Sequence, residues 1–282
     1  MKKAILVATI GALTLSVNAG EWGKNPKAPK VPIEECVDLG AEISVSYLTD
    51  YFFNGYKFGE DAVATEVKYT YDGLAVPLTF GVFYLNATND SFPFGGAYDE
   101  LNLYVSAKLG TFAGFDVDLS YTHYMFPEMR GSVGILDGYG EVGLNARRSL
   151  GFADLLLESN VAFGNGFGSP DGWYHQAALE KAYSLTDNIG LVLTAGVAYS
   201  DGYHAPSVFS GNRGSGWNHY FLTAAFPIQL NCRATLTPYV GYVGTPDTWV
   251  VDGAFNGGPF IPFNPQFQNG QVHGGVTLSV SF

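Results

Sequence analysis

The chain has 282 residues, with 26 Asp and Glu against 14 Lys and Arg, a formal net charge of −12. Such an acid excess excludes a nucleic-acid partner, because phosphate contacts need clustered Lys and Arg. Only 14% of residues are charged, 15% are aromatic and 36 are Gly, against about 25% charged and about 7% Gly in ordinary soluble domains. This balance points to an all-β chain with many turns and a large apolar exterior.

In chain order, Lys2 and Lys3 precede an apolar run from Ala4 to Val17, and Val17-Asn18-Ala19 supplies small residues at a cleavage spacing. Residues 1–19 therefore read as a secretory signal peptide cut after Ala19. The run is shorter than the ~20 residues that a helical span needs. Removing Lys2 and Lys3 leaves 12 basic against 26 acidic residues, so the formal charge of the exported chain is −14. Residues 20–39 are rich in Lys and Pro and read as a periplasmic N-terminal segment. They carry Cys36, one of the chain's two cysteines; Cys232 is the other.

Residues 40–282 carry repeated two-residue alternation, the pattern of strands with one apolar face. The predicted strands span about 40–54, 61–71, 74–86, 98–109, 113–126, 139–149, 152–164, 173–184, 188–200, 216–228, 232–244 and 271–282. In the first, Ala41, Ile43, Val45, Tyr47, Tyr51 and Phe53 oppose Glu42, Ser44, Ser46, Asp50 and Asn54. In the fifth, Phe115, Val117, Leu119 and Tyr121 oppose Asp116, Asp118, Ser120 and Thr122. The last alternates from Val272 to a terminal aromatic, Phe282, and resembles the C-terminal strand of bacterial outer-membrane barrels.

Connections after even-numbered strands are short, and those after odd-numbered strands are longer and rich in Gly, Pro and Asn. The first outer loop, placed near Tyr56–Glu60, is the short exception. This segregation and the even count give the expected fold: an all-β transmembrane antiparallel up-and-down β-barrel of about 12 strands in the bacterial outer membrane. Pro77 and Pro227 fall near periplasmic ends. Pro238 falls mid-strand, where its missing donor predicts a bulge or bend.

The apolar faces are expected to meet lipid, with Tyr47, Tyr51, Phe53, Tyr69, Tyr71, Phe80, Tyr84, Tyr121, Tyr199 and Tyr242 placed toward the interfaces. The opposite faces give the expected lumen lining: Glu42, Asp50, Glu66, Lys68, Glu100, Lys108, Asp116, Asp118, Glu141, Arg147, Asp154, Glu158, Glu180 and Arg233. Ten of these fourteen are carboxylates. A water-filled lumen with this wall favours cations over anions. If side chains fill it, the basic residues are salt-bridge partners and nothing passes. Tyr104, Tyr124 and Tyr239 also point inward and narrow the interior. The reading is a small passive channel, the alternatives being a closed structural or adhesive barrel and a barrel enzyme.

Catalysis is not expected. No nucleophile elbow or metal-binding His spacing occurs, and no cofactor is expected. The observation that would argue for an enzyme is His123, His204 or His219 meeting both a Ser and a carboxylate. The segment 245–270, with Phe255, Phe260, Phe263 and Phe267, fits a lumen constriction or a loop-surface contact equally.

Cys36 and Cys232 both fall at the periplasmic rim, on strands separated by two spacings of about 5 Å each. Four residues of linker span about 13 Å. A Cys36–Cys232 disulfide is therefore within reach, the alternative being two unpaired thiols.

Val45-Ser46-Tyr47-Leu48-Thr49-Asp50-Tyr51-Phe52-Phe53-Asn54-Gly55 resembles the first strand of the TorF-type porin family. There Ser/Thr-Asp-Tyr precedes an aromatic, a basic residue and Gly; here Asn54 stands in the basic position. Asp61-Ala62-Val63 through Tyr69-Thr70-Tyr71, and Asp99-Glu100-Leu101-Asn102-Leu103-Tyr104, are similar to that family's second and fourth strands. The resemblance implies a porin-like barrel and no particular solute. The expected partners are outer-membrane lipid and lipopolysaccharide, small solutes, and the barrel-assembly machinery reached through the strand ending at Phe282.

Overall fold

A computed structural model describes residues 39–89, 98–127, 138–163, 172–203, 215–244 and 270–282. The strands are β1 (Ala41–Phe53), β2 (Tyr56–Tyr71), β3 (Leu78–Asn89), β4 (Asp99–Phe112), β5 (Phe115–Met125), β6 (Tyr139–Ser149), β7 (Asp154–Phe163), β8 (Trp173–Ser184), β9 (Gly190–Asp201), β10 (Ser215–Ala225), the two-residue β11 (Ile228–Gln229), β12 (Ala234–Gly244) and β13 (Gln271–Ser281). β11 continues β10 after a break, so the wall has twelve strand positions. Each pairs antiparallel with its neighbour, β13 with β1 and β10 with β12, which closes the barrel. No helix occurs among the described residues.

Closure removes the sheet edge that would otherwise leave backbone polar groups facing hydrocarbon. The seam runs from Glu42↔Ser281 to Leu48↔Gly275. Phe282 continues it: its amide donates to the Ala41 carbonyl at 2.8 Å, and its own carbonyl accepts from Leu39. The terminal aromatic thus ends the closing strand, partly exposed at the rim of the short turns.

Outward side chains are apolar and exposed over most of the wall, among them Ile43, Val45, Val67, Val82, Leu119, Leu144, Leu179, Leu193, Leu222 and Leu278. In a soluble protein such a surface would be a liability; in a bilayer it is the contact face. Aromatics flank it at both ends. Phe163, Trp173 and Trp217 lie toward the long connections, and Tyr71, Phe112 and Tyr183 toward the short turns. Inside, aromatic rings lie where the neighbouring strand has Gly. A Cβ at Gly81 would stand 2.1 Å from the Tyr104 ring, and one at Gly196 2.4 Å from the Phe221 ring. Part of the Gly content is therefore space for inward aromatics.

Two sequence expectations need correction. Residues 56–60 are not a loop: β2 begins at Tyr56, and the turn is Asn54-Gly55. Pro238 also makes no bulge. It pairs with Val276 in an unbroken register with β13, and accepts a bond from the Phe226 amide at 2.9 Å. The pairing Ala225↔Tyr239 before this point and Ile228↔Leu236 after it keep one register. The two donor-less residues Pro227 and Pro238 are gathered in one ladder near the short-turn rim. The disturbance falls on the partner strand, at Phe226-Pro227, and costs only that strand's local continuity.

Candidate pore lumen and its outer mouth

Inward side chains of the wall are polar and organised in layers. Toward the short turns, opposite charges pair. Lys68 meets Glu42 at 2.8 Å, and Arg147 meets Asp154 at 2.6 Å and Glu180 at 3.0 Å. Asp116 accepts from Thr111 at 2.5 Å. Asp118 is buried and stands opposite Lys108 in the β4–β5 register. Glu66 accepts from the inward Tyr104 hydroxyl at 2.5 Å. Arg233 is placed differently from the other thirteen, exposed in the turn before β12.

Toward the outer mouth the carboxylates lose their basic partners. Glu100 accepts from Tyr98 at 2.6 Å, from Asn102 at 2.5 Å and from Tyr51 at 2.9 Å. Glu141 accepts from Tyr124 at 3.3 Å and from Tyr203. Glu158 accepts from Asn160 at 2.7 Å. These bonds are all to neutral donors, and among the described residues none of the three carboxylates has a salt-bridge partner. Asp50 does have one, Lys57 at 2.5 Å.

The mouth itself is occupied, and the occupant is the tip of the β1–β2 hairpin. Residues 51–55 are all buried, on both faces of the strand. Tyr51 reaches Glu100 on β4, and the Phe53 ring lies 5.6 Å from Tyr124 on β5. Phe52, on the other face, belongs to a buried cluster with Ala178 of β8, Phe221 of β10 and Val243 of β12, packed against Leu156 of β7. The Asn54 carbonyl accepts from Asn218 of β10 at 3.0 Å. Strands β5 and β10 are five positions apart in a ring of twelve. Spacing and tilt make that ring roughly 24 Å across between backbones. Adjacent residues Phe53 and Asn54 touch both sides, so the tip lies inside the ring and not in its wall. Room for it comes from small inward residues beneath: Ala62, Ala64 and Ala87 are buried in the same cluster as Tyr51 and Phe53.

This corrects the lipid-facing assignment of Tyr51 and Phe53. Their alternation with Asp50 and Phe52 is real, but alternation decides lipid against lumen only while a strand stays in the wall. The register of β1 with β2 shifts between Tyr51 and Phe52. Beyond that shift the hairpin leaves the wall, and its outer face meets Tyr98 and Tyr124 instead of lipid. Tyr47, Tyr69, Tyr71, Phe80, Tyr84 and Tyr121 are exposed on the outside, and Tyr199 and Tyr242 are partly exposed there.

A second bulge on β10 meets the tip. Trp217 pairs with Tyr199 and Tyr220 with Val197, which leaves Asn218 and His219 opposite Ala198 alone. Both are wholly buried, with the His219 ring 6.4 Å from Tyr174 and 5.9 Å from Phe221. The alternation in 215–225 gives no hint of this bulge, since both residues are polar.

The histidines do not assemble a catalytic group among the described residues. Neither ring nitrogen of His219 has a hydrogen-bond partner among the described residues. His123 lies partly exposed on β5, and His204 falls outside the described residues. Ser159 Oγ and His175 Nδ1 stand 2.9 Å apart on the outer side of β7 and β8, without a carboxylate partner. No group of three or more His, Cys, Asp or Glu among the described residues is arranged to hold a metal ion. Cys36 and, of the segment 245–270, every residue before Gly270 also fall outside the described residues, and Cys232 lies in the turn before β12.

A closed antiparallel barrel with an apolar exterior, two aromatic belts and a polar interior defines a transmembrane β-barrel of the outer-membrane type. Its fold is similar to that of an outer membrane channel from Pseudomonas putida F1, at 13% identity and a TM-score of 0.53, over 90% of this chain and 100% of that one. The KdgM porin aligns over 86% of this chain and 98–99% of its own, at 7–9% identity and a TM-score of 0.47. LpxR from Salmonella typhimurium aligns over 86% and 99%, at 9% and 0.43. No family model and no curated protein matches the sequence.

Proposed function

We propose that this chain is a porin-like channel for passive diffusion of small solutes across the bacterial outer membrane, with a preference for cations. The observation that carries the preference is the imbalance of the lumen. Basic side chains near the short turns are matched by carboxylates, whereas Glu100, Glu141 and Glu158 toward the mouth have only neutral partners. Once the mouth admits water to these carboxyls, they ionise, and in a low-dielectric tube such a surplus attracts cations and repels anions. The resemblance of residues 45–55 to the first strand of TorF-type porins agrees with this reading.

The occupied mouth favours one other reading, a closed barrel with a structural or adhesive role. A barrel enzyme finds less support, because no His–Ser–carboxylate set forms among the described residues. Single-channel recording of the refolded protein in a planar bilayer separates the readings. The channel gives discrete conductance steps; their absence under all voltages and salts leaves the closed barrel.

The surroundings follow from the same reading. The chain is exported, cut after Ala19, and delivered to the assembly machinery through the strand ending at Phe282. It then faces lipid and lipopolysaccharide. Cys36 and Cys232 pair at the periplasmic rim and tie residues 20–39 beneath the barrel. The pairing is tested by peptide mapping without reduction, which should yield one linked peptide; two separately alkylated cysteines would contradict it.

A further inference from the structure

The tip of the β1–β2 hairpin closes the mouth across a seam of unusual composition. On one side stand Asn54 and Gly55, and on the other Asn218 and His219 of the β10 bulge. Six buried side-chain polar atoms lack a hydrogen-bond partner among the described residues, and four lie at this seam: Asn54 Nδ2, Asn218 Oδ1, and both ring nitrogens of His219. Among the described residues one hydrogen bond crosses it, from Asn218 Nδ2 to the Asn54 carbonyl. Gly55 fits only because it has no side chain. Its φ is +86°, and a Cβ there would stand 2.6 Å from His219 Nδ1. Buried polar groups left unmatched make a contact weak, because water satisfies them when it parts. The seam therefore holds shape without holding tightly.

The other end of the hairpin has the features of a hinge. β2 carries one extra residue, Phe58, opposite the Tyr51–Phe52 step. Asp61 then takes a left-handed φ of 51°, rare for a residue inside a strand. Below Asp61 the ladder with β1 is regular from Ala62 to Tyr69. Above it, Lys57 ties Asp50 and Glu60 together at 2.5 Å each, which fastens the base of the tip across its two strands, where Glu60 still pairs with Asn89 of β3.

We propose that the β1–β2 hairpin tip is a hinged gate, which seats on the Asn218–His219 bulge to close the outer mouth and swings from it to admit solute. This rests on the channel reading above. A loss of the seat exposes Asn54, Asn218 and His219 to water, where their polar atoms find partners. The Tyr51 hydroxyl leaves Glu100 in the same movement, so opening frees one of the mouth carboxylates.

The test joins the two sides of the seam. In the full chain carrying Asn54→Cys and Asn218→Cys, a short bis-methanethiosulfonate links the new thiols and a reductant releases them. Mass spectrometry confirms the link, and wild type with the same reagents controls for Cys36 and Cys232. Linking should abolish conductance steps, and reductant should restore them to the unlinked level. A linked barrel that conducts as the unlinked one does overturns the gate and leaves the channel standing. Silence of the linked, unlinked and wild-type barrels, with steps from a Tyr51→Ala/Phe53→Ala/Phe58→Ala variant, makes the tip a fixed plug and overturns the hinge. Silence of that variant as well overturns the channel reading itself.

Discussion

Replacing Leu144 with Arg should destabilise the folded barrel in lipid by about 2–4 kcal/mol, while Asn145→Arg, one residue on, should leave it nearly unchanged. Leu144 is the middle residue of the eleven-residue β6 and is exposed on the outside. A guanidinium there sits near the bilayer centre, where no water or counter-charge reaches it. Asn145 faces the lumen and pairs in register with Asp118 and Glu158, so an Arg at that position meets carboxylates. Reversible urea unfolding in lipid vesicles reads both. Equal losses for the two variants would mean that the faces of the wall are wrongly assigned.

Stripping the hairpin tip of its rings, as Tyr51→Ala/Phe53→Ala/Phe58→Ala, should raise the unitary conductance severalfold without abolishing insertion. The three side chains stack among Tyr98, Tyr124 and Phe126 and fill the space between opposite walls. They are not part of the wall ladder that closes the barrel between β1 and β13, which runs from Glu42 to Leu48. Removing them costs local packing, on the scale of a few kcal/mol per large ring, while the continuous ladder keeps the barrel closed. An unchanged conductance would show that the ions pass elsewhere, or that another segment sets the narrowest point.

The wall was legible in the sequence because two independent signals agreed at each strand. Period-two alternation marks a face of lipid against a face of water, and Gly- or Asn-bearing turns mark where it stops. Trp173–Ser184 and Tyr139–Ser149 match their predicted bounds for that reason. The mouth was not legible, although its residues were all in view. Tyr51 and Phe53 continue the alternation of β1 without a break, so local pattern assigns them to lipid. Their true neighbours, Tyr98 and Tyr124, are tens of residues away in the chain and become neighbours only once the ring closes. The turn was misplaced for a related reason. Lys57, Gly59 and Glu60 look like a loop, yet the strand starts at Tyr56 and absorbs its irregularity as a bulge.

Pro238 teaches a complementary lesson. Its position in a central strand argues for local distortion, because a ladder donor is lost. The sequence of β12 alone does not reveal that the facing segment is Phe226-Pro227, already broken by its own proline. Two defects on adjacent strands share one site, and the rest of the ladder remains regular.

The electrostatics of the lumen were partly legible. Inward charges could be named from alternation, and thirteen of the fourteen sit in the strands assigned to them. Their pairing could not, because Arg147 finds Asp154 and Glu180 on two successive strands. It is the pairing that distinguishes the half toward the short turns, where every inward basic side chain stands by a carboxylate, from the half toward the long connections, where Glu100, Glu141 and Glu158 have only neutral partners, and this division underlies the proposed cation preference.

The most direct test of that account is the zero-current potential of the wild-type channel across a tenfold potassium chloride gradient, with the Glu100→Gln/Glu141→Gln variant alongside. A cation-preferring channel gives a potential of the sign set by potassium diffusion, and the variant moves it toward zero. A potential of chloride sign, or one that the variant does not shift, would contradict the account.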